Sequence, residues 1–279
     1  MNTVYIETSA VNQAHAESIT GQEIVGAVAD CGYRPAIGIH TIYELARTFL
    51  DPHQRKKGSQ LFSILRDIDG VIVPPTGMLL EQEIIGLRTG SAVLPILDSD
   101  NQTSTRFEIE KLARGIFDAT AEEFIANREN ERRTNEPLEN EEYLNHVRQV
   151  NRDNPNEYRN IRTFEDILRY FEKDVPESIE RILRGRVSRS ESRELSQRLN
   201  SFPSLRSVVR ANQYFCFIVI RNEIHPAYDR VDDFRHVIDA SYCAAFLTND
   251  GQLARTASYI NQDISVITWN EVFKKVQSS

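Results

Sequence analysis

The chain has 279 residues, 40% hydrophobic and 27% charged, which excludes a disordered or low-complexity protein and leaves room for one large domain with an insertion. Its formal net charge of −8 argues against a surface that coats nucleic acid throughout. The longest apolar run, 214–220, is far shorter than the roughly 17 residues of a membrane helix. Because the first residues also lack an export-signal pattern, we expect a cytoplasmic protein with no membrane segment.

Strand-like runs alternate with helical patterns at both ends of the chain. In order, the runs are VYI at 4–6, AIGI at 36–39, VIV at 71–73, AAFLT at 244–248 and SVITW at 265–269. Such alternation predicts a parallel sheet. An apolar helix is expected near 204–222. We predict one α/β domain formed by 1–98 and 205–279.

The middle zone, 99–204, has no convincing strand and is predicted to be a helical insertion of unknown role. Its clearest helix start is the capping-box pattern from Thr105 to Glu108. The Glu- and Asn-rich stretch 121–145 is expected to be an exposed helix end and a loop. The three cysteines, Cys31, Cys216 and Cys243, are widely spaced, so we expect small core residues and no disulfide framework or metal motif.

Acidic residues recur where a strand ends and a helix begins. Glu7 directly follows VYI, Glu44 lies one turn into the helix after AIGIH, Asp232 and Asp233 open the helix FRHVIDASYC, and Asp250 follows AAFLTN. The carboxyl ends of parallel strands share one edge of the sheet, so these acids can converge. Crowded carboxylates either take up protons or bind a divalent cation.

Oxygen ligands without His or Cys favour Mg²⁺ or Mn²⁺ over zinc. A pair of such ions held by carboxylates is typical of phosphodiester hydrolysis. The chain has no GxGxxG, P-loop, HExxH or GxSxG motif, which removes the main support for dinucleotide, phosphoryl-transfer, zinc-protease and serine-hydrolase chemistry. Hydrolysis of nucleic acid is therefore the leading reaction class.

Three segments, VYIETSAVNQ, IHTIYELARTF and VDDFRHVIDASYCAAFLTNDGQLARTA, together resemble a PIN domain, the fold of many metal-dependent ribonucleases. The resemblance covers roughly 3–75 and 205–272. It implies a parallel sheet of about five strands with helices on both faces, and an acidic Mg²⁺ or Mn²⁺ cluster. The catalytic and metal-binding acids that it implies are Glu7, Glu44, Asp233 and Asp250.

Two features depart from the PIN pattern. The first acid of the family is most often Asp, whereas Glu7 reaches one methylene further and shifts the expected metal position. The long zone 99–204 is not part of a minimal PIN domain, and substrate choice can reside there. Ser9, Asp232 and Thr248 are expected to support the acid cluster from a second layer of contacts.

Each acid also has a purely structural interpretation. Thr41 and Glu44 fit a capping box, and Asp232 and Asp233 fit an N-cap and a first-turn acid. Asp250 before a glycine, and Glu7 after its strand, fit plain turn roles.

Two further residues of the Asp233 helix have their own expectations. We expect His236 to be a packing residue of an apolar helix. Asp239 is expected to be a surface or partner-binding acid, because it lies six residues, about 600° of rotation, from Asp233.

Positive charge is concentrated in 181–210, which holds eight arginines and two glutamates, a balance of +6. This stretch is either a solvated helix face or a track for the RNA backbone. The arginines predicted to contact RNA are Arg184, Arg186, Arg189 and Arg193.

The sequence thus predicts a Mg²⁺- or Mn²⁺-dependent endoribonuclease, toxin-like, with RNA as substrate. A protein inhibitor or antitoxin and a homo-oligomer are further expected partners. Two alternatives stay open: a catalytically inactive module that binds RNA or protein, and a structure-specific DNA nuclease.

Overall fold

The computed structural model describes the backbone of residues 2–135, 137–222 and 228–273, with side chains except at 131–143 and 228–232. The strands are β1 (Thr3–Ile6), β2 (Arg34–Gly38), β3 (Val71–Val73), β4 (Ala245–Thr248) and β5 (Ser265–Thr268). They form one parallel sheet in the order β3-β2-β1-β4-β5. The predicted fold class, an α/β structure with five parallel strands, is confirmed.

The rest of the described chain is mostly helical. The helices are α1 (Thr8–Glu17), α2 (Gly21–Asp30), α3 (Ile39–Ala46), α4 (Arg55–Ile68), α5 (Thr76–Thr89), α6 (Ser99–Ala113), α7 (Ala119–Asn135), α8 (Pro137–Asp153), α9 (Phe164–Tyr170), α10 (Val175–Ile182), α11 (Arg189–Gln197), α12 (Pro203–Asn222), α13 (Tyr228–Asp239), α14 (Gly251–Ile260) and α15 (Trp269–Phe273). No helix in the described residues is both long and apolar enough to cross a bilayer.

Helices cover both faces of the sheet because successive strand residues point to opposite sides. In β1, Val4 and Ile6 pack into one hydrophobic cluster with residues of α1, α2, α4 and α6. Tyr5, between them, packs into a second cluster with residues of α12, α13 and α14. All four residues of β1 are buried, as expected for the central strand of a covered sheet.

The helices of 99–204 are distributed over the whole fold. Helices α6 and α7 add Ile109, Leu112 and Ile125 to the first cluster, and α8 and α9 contribute to the second. Helices α10 and α11 pack with α5 and α12 in a third cluster. The predicted insertion therefore shares its hydrophobic contacts with the segments that carry the sheet.

Two local expectations for the middle zone are wrong. Helix α6 begins at Ser99, where the side chain of Asp98 accepts a hydrogen bond from the Asn101 N–H at 2.9 Å. Thr105 lies inside this helix and donates to the Asn101 carbonyl oxygen at 2.8 Å, so it caps nothing. The stretch 121–145, expected to be an exposed helix end and a loop, falls within α7 and α8 apart from residue 136, which lies outside the described residues.

The cysteines also differ from expectation. Only Cys243 is buried, whereas Cys216 is half-buried and Cys31 is exposed at the end of α2. All three are free thiols, as predicted.

Candidate functional site

Two of the predicted acids follow the neighbouring central strands β1 and β4 and cap the helices that come next. Glu7 accepts a hydrogen bond from the Ser9 N–H at 2.9 Å and caps α1. Asp250 accepts from the N–H groups of Gln252 and Leu253 through one carboxylate oxygen, Oδ1, and caps α14. Both acids are therefore helix N-caps and not plain turn residues, and this role leaves the negative charge of each at the carboxyl edge of the sheet.

Glu7 is held in place by hydroxyl groups. The Thr248 hydroxyl donates to Oε2 at 2.9 Å, and the Ser9 hydroxyl donates to the same oxygen. Glu7 is only 4% exposed, so these donors offset part of the penalty of burying its charge. Ser9 and Thr248 therefore lie where the sequence analysis expected supporting residues.

Glu44 reaches the same edge from α3, and its capping-box interpretation is wrong. Helix α3 begins at Ile39, directly after Gly38, so Thr41 is already inside the helix. Glu44 instead accepts a hydrogen bond from the Thr8 hydroxyl and lies 2.8 Å from Nε2 of His236. Burial alone would raise the pKa of Glu44, but the charge and hydrogen bond of His236 outweigh it and lower the pKa well below its usual value.

Asp233 joins the group from α13. That helix begins at Tyr228, so Asp233 is not a first-turn acid as the sequence suggested. Burial, together with the negative charges of Glu7, Glu44 and Asp250, raises the pKa of Asp233 to about 7 against the attraction of His236. Four acids from separate parts of the chain therefore interact at one edge. The side chain of Asp232, predicted to support them, lies outside the described residues.

His236, expected to be a packing residue, lies in the middle of these acids. It is fully buried, and its Nε2 lies 2.8 Å from Glu44 and 4.0 Å from Glu7. Nδ1 lies 3.0 Å from the Tyr5 hydroxyl. Burial lowers the pKa of His236, but the charges of Glu44 and Glu7 and the hydrogen bond of Glu44 raise it to about 9.

A second histidine was missed altogether by the sequence analysis. His40 lies one helical turn before Glu44 on α3, with its Nε2 3.5 Å from Glu44 Oε1 and its ring 4.5 Å from that of His236. Burial, reinforced by His236, holds the pKa of His40 well below its usual value. Two histidines therefore accompany the expected acids, and the His-x-x-x-Glu spacing of residues 40–44 was the available signal for His40.

Asp239 is not the surface acid that its position on the helix suggested. It is 3% exposed and accepts hydrogen bonds from the Thr76 N–H at 2.8 Å and the Thr76 hydroxyl at 2.6 Å, at the start of α5. Burial raises its pKa to about 6, despite these bonds and the nearby His236. Asp239 joins α13 to α5 behind the acid group.

A cavity of about 410 Å³ opens beside the histidines. Its lining includes His40, Tyr43, Asp239 and two cationic side chains, Arg128 and Arg235. Both arginines are close enough to His40 for their charges to lower its pKa. The acidic edge thus has a basic neighbour on its α3 and α13 side.

The arginine-rich stretch divides into two parts. Arg206 is buried against Asp263, and Arg210 donates to the Tyr259 carbonyl oxygen and packs over Phe164, so these two belong to the fold. The arginines predicted to contact RNA, Arg184, Arg186, Arg189 and Arg193, are all exposed on α11 or in the turn before it.

Comparison with known protein families, curated proteins and solved structures returned no match. The chemistry of the site therefore has to be inferred from its own geometry.

Proposed function

We propose that the chain is a metal-dependent endoribonuclease with a PIN-like acidic centre formed by Glu7, Glu44, Asp233 and Asp250. The observation that carries this proposal is the convergence of these four acids, from β1, α3, α13 and β4, at the carboxyl edge of a parallel sheet. Ligand sites of open α/β sheets lie at that edge. The pKa of Asp233 is raised first by burial and then by the charges of Glu7, Glu44 and Asp250, and a divalent cation would relieve that repulsion.

The four acids offer the oxygen donors that a hard divalent cation needs, but among the described residues no three of them bring donor oxygens within 4.8 Å of one another, so a bound cation would have to draw them closer. Glu44 and Asp233 are partly accessible, and Glu7 is held by the hydroxyls of Ser9 and Thr248. Mg²⁺ or Mn²⁺ bound by these carboxylates would polarise a phosphodiester and lower the pKa of a bound water. Pre-positioning of the carboxylates by fixed donors limits the rearrangement needed when the substrate binds.

Asp233 differs from Glu44 in its protonation before a cation binds. Its pKa of about 7 means that the carboxyl group is partly protonated at neutral pH, and a divalent cation would displace that proton. Thr8 and His236 hold Glu44 in its charged form, so the two acids differ in protonation although they share the same edge. Such a difference between neighbouring carboxylates is typical of acid–base sites.

The surroundings favour a polyanionic substrate. Four carboxylates repel phosphate, but Arg128 and Arg235 line the cavity beside them. The exposed arginines of α11 lie near the far end of α5, where Arg88 of α5 forms an ion pair with Glu191 of α11. Thr76 and Arg88 are roughly 18 Å apart at 1.5 Å per helical residue, so a single strand crossing both regions would have to run along α5.

The proposal is tested with purified protein and end-labelled substrates. Single-stranded RNA, single-stranded DNA and a DNA flap are incubated with Mn²⁺, Mg²⁺ or chelator, and the fragment ends are sequenced. We expect internal cleavage of RNA that needs the metal and is lost in Asp233→Asn. The matched control is Asp30→Asn, an exposed acid at the end of α2, which should cleave like the wild type.

The alternatives give different results. Preferential cleavage of the flap would indicate a structure-specific DNA nuclease. Binding of RNA without cleavage under any metal condition would contradict the proposal and indicate an inactive binding module.

A further inference from the structure

The Nε2 atom of His40 is buried and has no hydrogen-bond partner among the described residues. The side chain is 8% exposed and lies on the inner side of α3, facing Glu44 Oε1 at 3.5 Å. A buried imidazole nitrogen without a partner is unfavourable. Its position next to a carboxylate and a second imidazole indicates that a ligand completes its contacts.

The three side chains present donor atoms to one point. One atom from each of His40, Glu44 and His236 lies within 4.8 Å of the others. Metal–ligand bonds of about 2.0–2.2 Å place neighbouring donor atoms roughly 3 Å apart. The observed separations from Glu44, 2.8 Å to His236 and 3.5 Å to His40, bracket that value. A proton shared by His236 and Glu44 satisfies one of these contacts and leaves His40 without a partner.

The second nitrogen of His236 is fixed in the way that metal-binding histidines require. Nδ1 lies 3.0 Å from the Tyr5 hydroxyl, and Thr41 Oγ1 lies 3.2 Å from the same hydroxyl. When a cation displaces the proton that Nε2 shares with Glu44, a hydrogen bond from Nδ1–H to Tyr5 keeps the imidazole neutral, with its Nε2 lone pair free to bind the ion. The absence of a side chain at Gly38 is needed here, because a Cβ there would overlap the Tyr5 ring.

We infer that His40, Glu44 and His236 form a transition-metal site that takes a divalent ion such as Zn²⁺ or Co²⁺. Two imidazole nitrogens and one carboxylate suit these ions, whereas Mg²⁺ prefers oxygen alone. Glu44 links this site to Glu7, Asp233 and Asp250, which offer only oxygen. Any role of this ion in catalysis rests on the proposed function, whereas binding of the ion to the three side chains does not.

The test measures binding without substrate. Chelator-stripped protein is titrated with Co²⁺, and the visible absorption of the bound ion is recorded. Mg²⁺ is present in about 1,000-fold excess, so Co²⁺ must bind more tightly by roughly 4 kcal/mol to compete with it. We expect a saturable spectrum in the wild type. His40→Gln removes a metal ligand and should weaken Co²⁺ binding by at least about 100-fold. Tyr5→Phe removes only the hydrogen bond to the ligand His236 and should weaken it less, by about 10–100-fold.

His53→Gln, which changes an exposed histidine, is the matched control and should bind like the wild type. An unchanged spectrum and affinity in His40→Gln would overturn the inference. Loss of the spectrum in Asp233→Asn but not in His40→Gln would also overturn it, because the ion would then lie on the oxygen side.

A measurement on the wild type avoids any dependence on the folding of a buried variant. Ring ¹⁵N signals of the histidines are followed while Zn²⁺ is added. The signals of His40 and His236 should shift together at one equivalent and that of His53 should not; no shift for His40 would contradict the site. If Co²⁺ binding depends on His40 but no RNA is cleaved, the metal site is supported and the proposed function is refuted. If RNA cleavage depends on Asp233 but His40→Gln does not change Co²⁺ binding, the proposed function is supported and the metal site is refuted.

Discussion

Two buried glutamates in different regions show what distinguishes the acidic edge from the rest of the fold. Glu83 of α5 is 1% exposed and accepts hydrogen bonds from the N–H groups of Ser204 and Leu205 and from the Tyr242 hydroxyl. Burial raises its pKa in spite of these donors. Glu44 is more accessible, and its pKa is lowered by a charged histidine in a group of other acids.

The difference lies in the neighbours of each carboxylate. Two of the three neutral donors of Glu83 are N–H groups at the start of α12, where a negative charge suits the helix dipole, so Glu83 joins α5 to α12. Glu44 lies among charged and titratable side chains, one of which, His40, has a ring nitrogen that lacks a hydrogen-bond partner among the described residues. Burial of a carboxylate alone therefore does not identify a site, whereas convergence with other ionisable groups does.

The largest expected effect is on the acidic edge. Asp233→Asn and Asp250→Asn should each lower metal-dependent RNA cleavage by at least about 100-fold, the scale of removing one charge-stabilising group. Asn at residue 250 can still cap α14. Because Asp233→Asn also removes a repelling charge, the melting temperature without metal should stay level or rise by a few degrees. Wild-type cleavage rates in both variants, measured in single turnover, would refute the assignment.

The second prediction is that a change at Glu83 lowers stability and leaves RNA cleavage unchanged. Glu83→Gln replaces one acceptor oxygen by an amide donor that faces at least one existing N–H donor, and it should lower the free energy of unfolding by about 1–3 kcal/mol. Cleavage per folded molecule should be unchanged. Glu44→Gln should abolish cleavage. Urea unfolding and cleavage assays on both variants compare the two regions directly, and equal loss of activity would remove the distinction between them.

The third prediction uses Asp239, which is buried behind the site. The folded protein holds its proton up to about pH 6, whereas the unfolded chain loses it near pH 4, so stability falls as pH rises through this window. Asp239→Asn retains an acceptor for Thr76 and removes this dependence. Above pH 6 the variant should be roughly 2–3 kcal/mol more stable than the wild type, and below pH 4 the two should converge. Parallel stability curves across pH 4–6 would contradict the pKa of about 6.

The smallest effect is expected at the exposed arginines. Replacing Arg184, Arg186, Arg189 and Arg193 by Gln should weaken RNA binding across all sequences, because phosphate contacts do not read bases. Four such contacts give a slope of about −3 for log affinity against log salt. Anisotropy titrations in an Asp250→Asn background isolate binding from cleavage. An unchanged slope in the fourfold variant would show that these arginines do not bind RNA and that α11 is only a solvated helix face.

The sequence was sufficient to predict the parallel sheet and the positions of the acids that follow its strands. Buried parallel strands are nearly continuous apolar runs, and VYI, VIV and FLT are such runs. Glu7 directly follows VYI, and Asp250 comes two residues after FLT, so the sheet topology alone brings both to one edge. The positions of these acids could therefore be predicted without side-chain detail.

Helix starts and histidine contacts could not be predicted in the same way. The Thr-x-x-Glu pattern at 41–44 and at 105–108 occurs inside helices, where the first turn is set by packing and by Gly38 or Asp98. His236 contacts Tyr5 and Glu44, which lie roughly 200 residues away in sequence. A local pattern contains no information about such partners, so the histidine side of the site appears only in three dimensions.

The most direct test of the central claim is to locate the metal. Crystals of the chain soaked in Mn²⁺ are measured near the manganese absorption edge, and an anomalous difference map is calculated. We predict density within bonding distance of the carboxylates of Glu44 and Asp233, on the side shared with Glu7 and Asp250, and its loss in Asp233→Asn crystals. Anomalous density elsewhere, with none at this edge, would contradict a metal-dependent catalytic centre at the carboxyl ends of the strands.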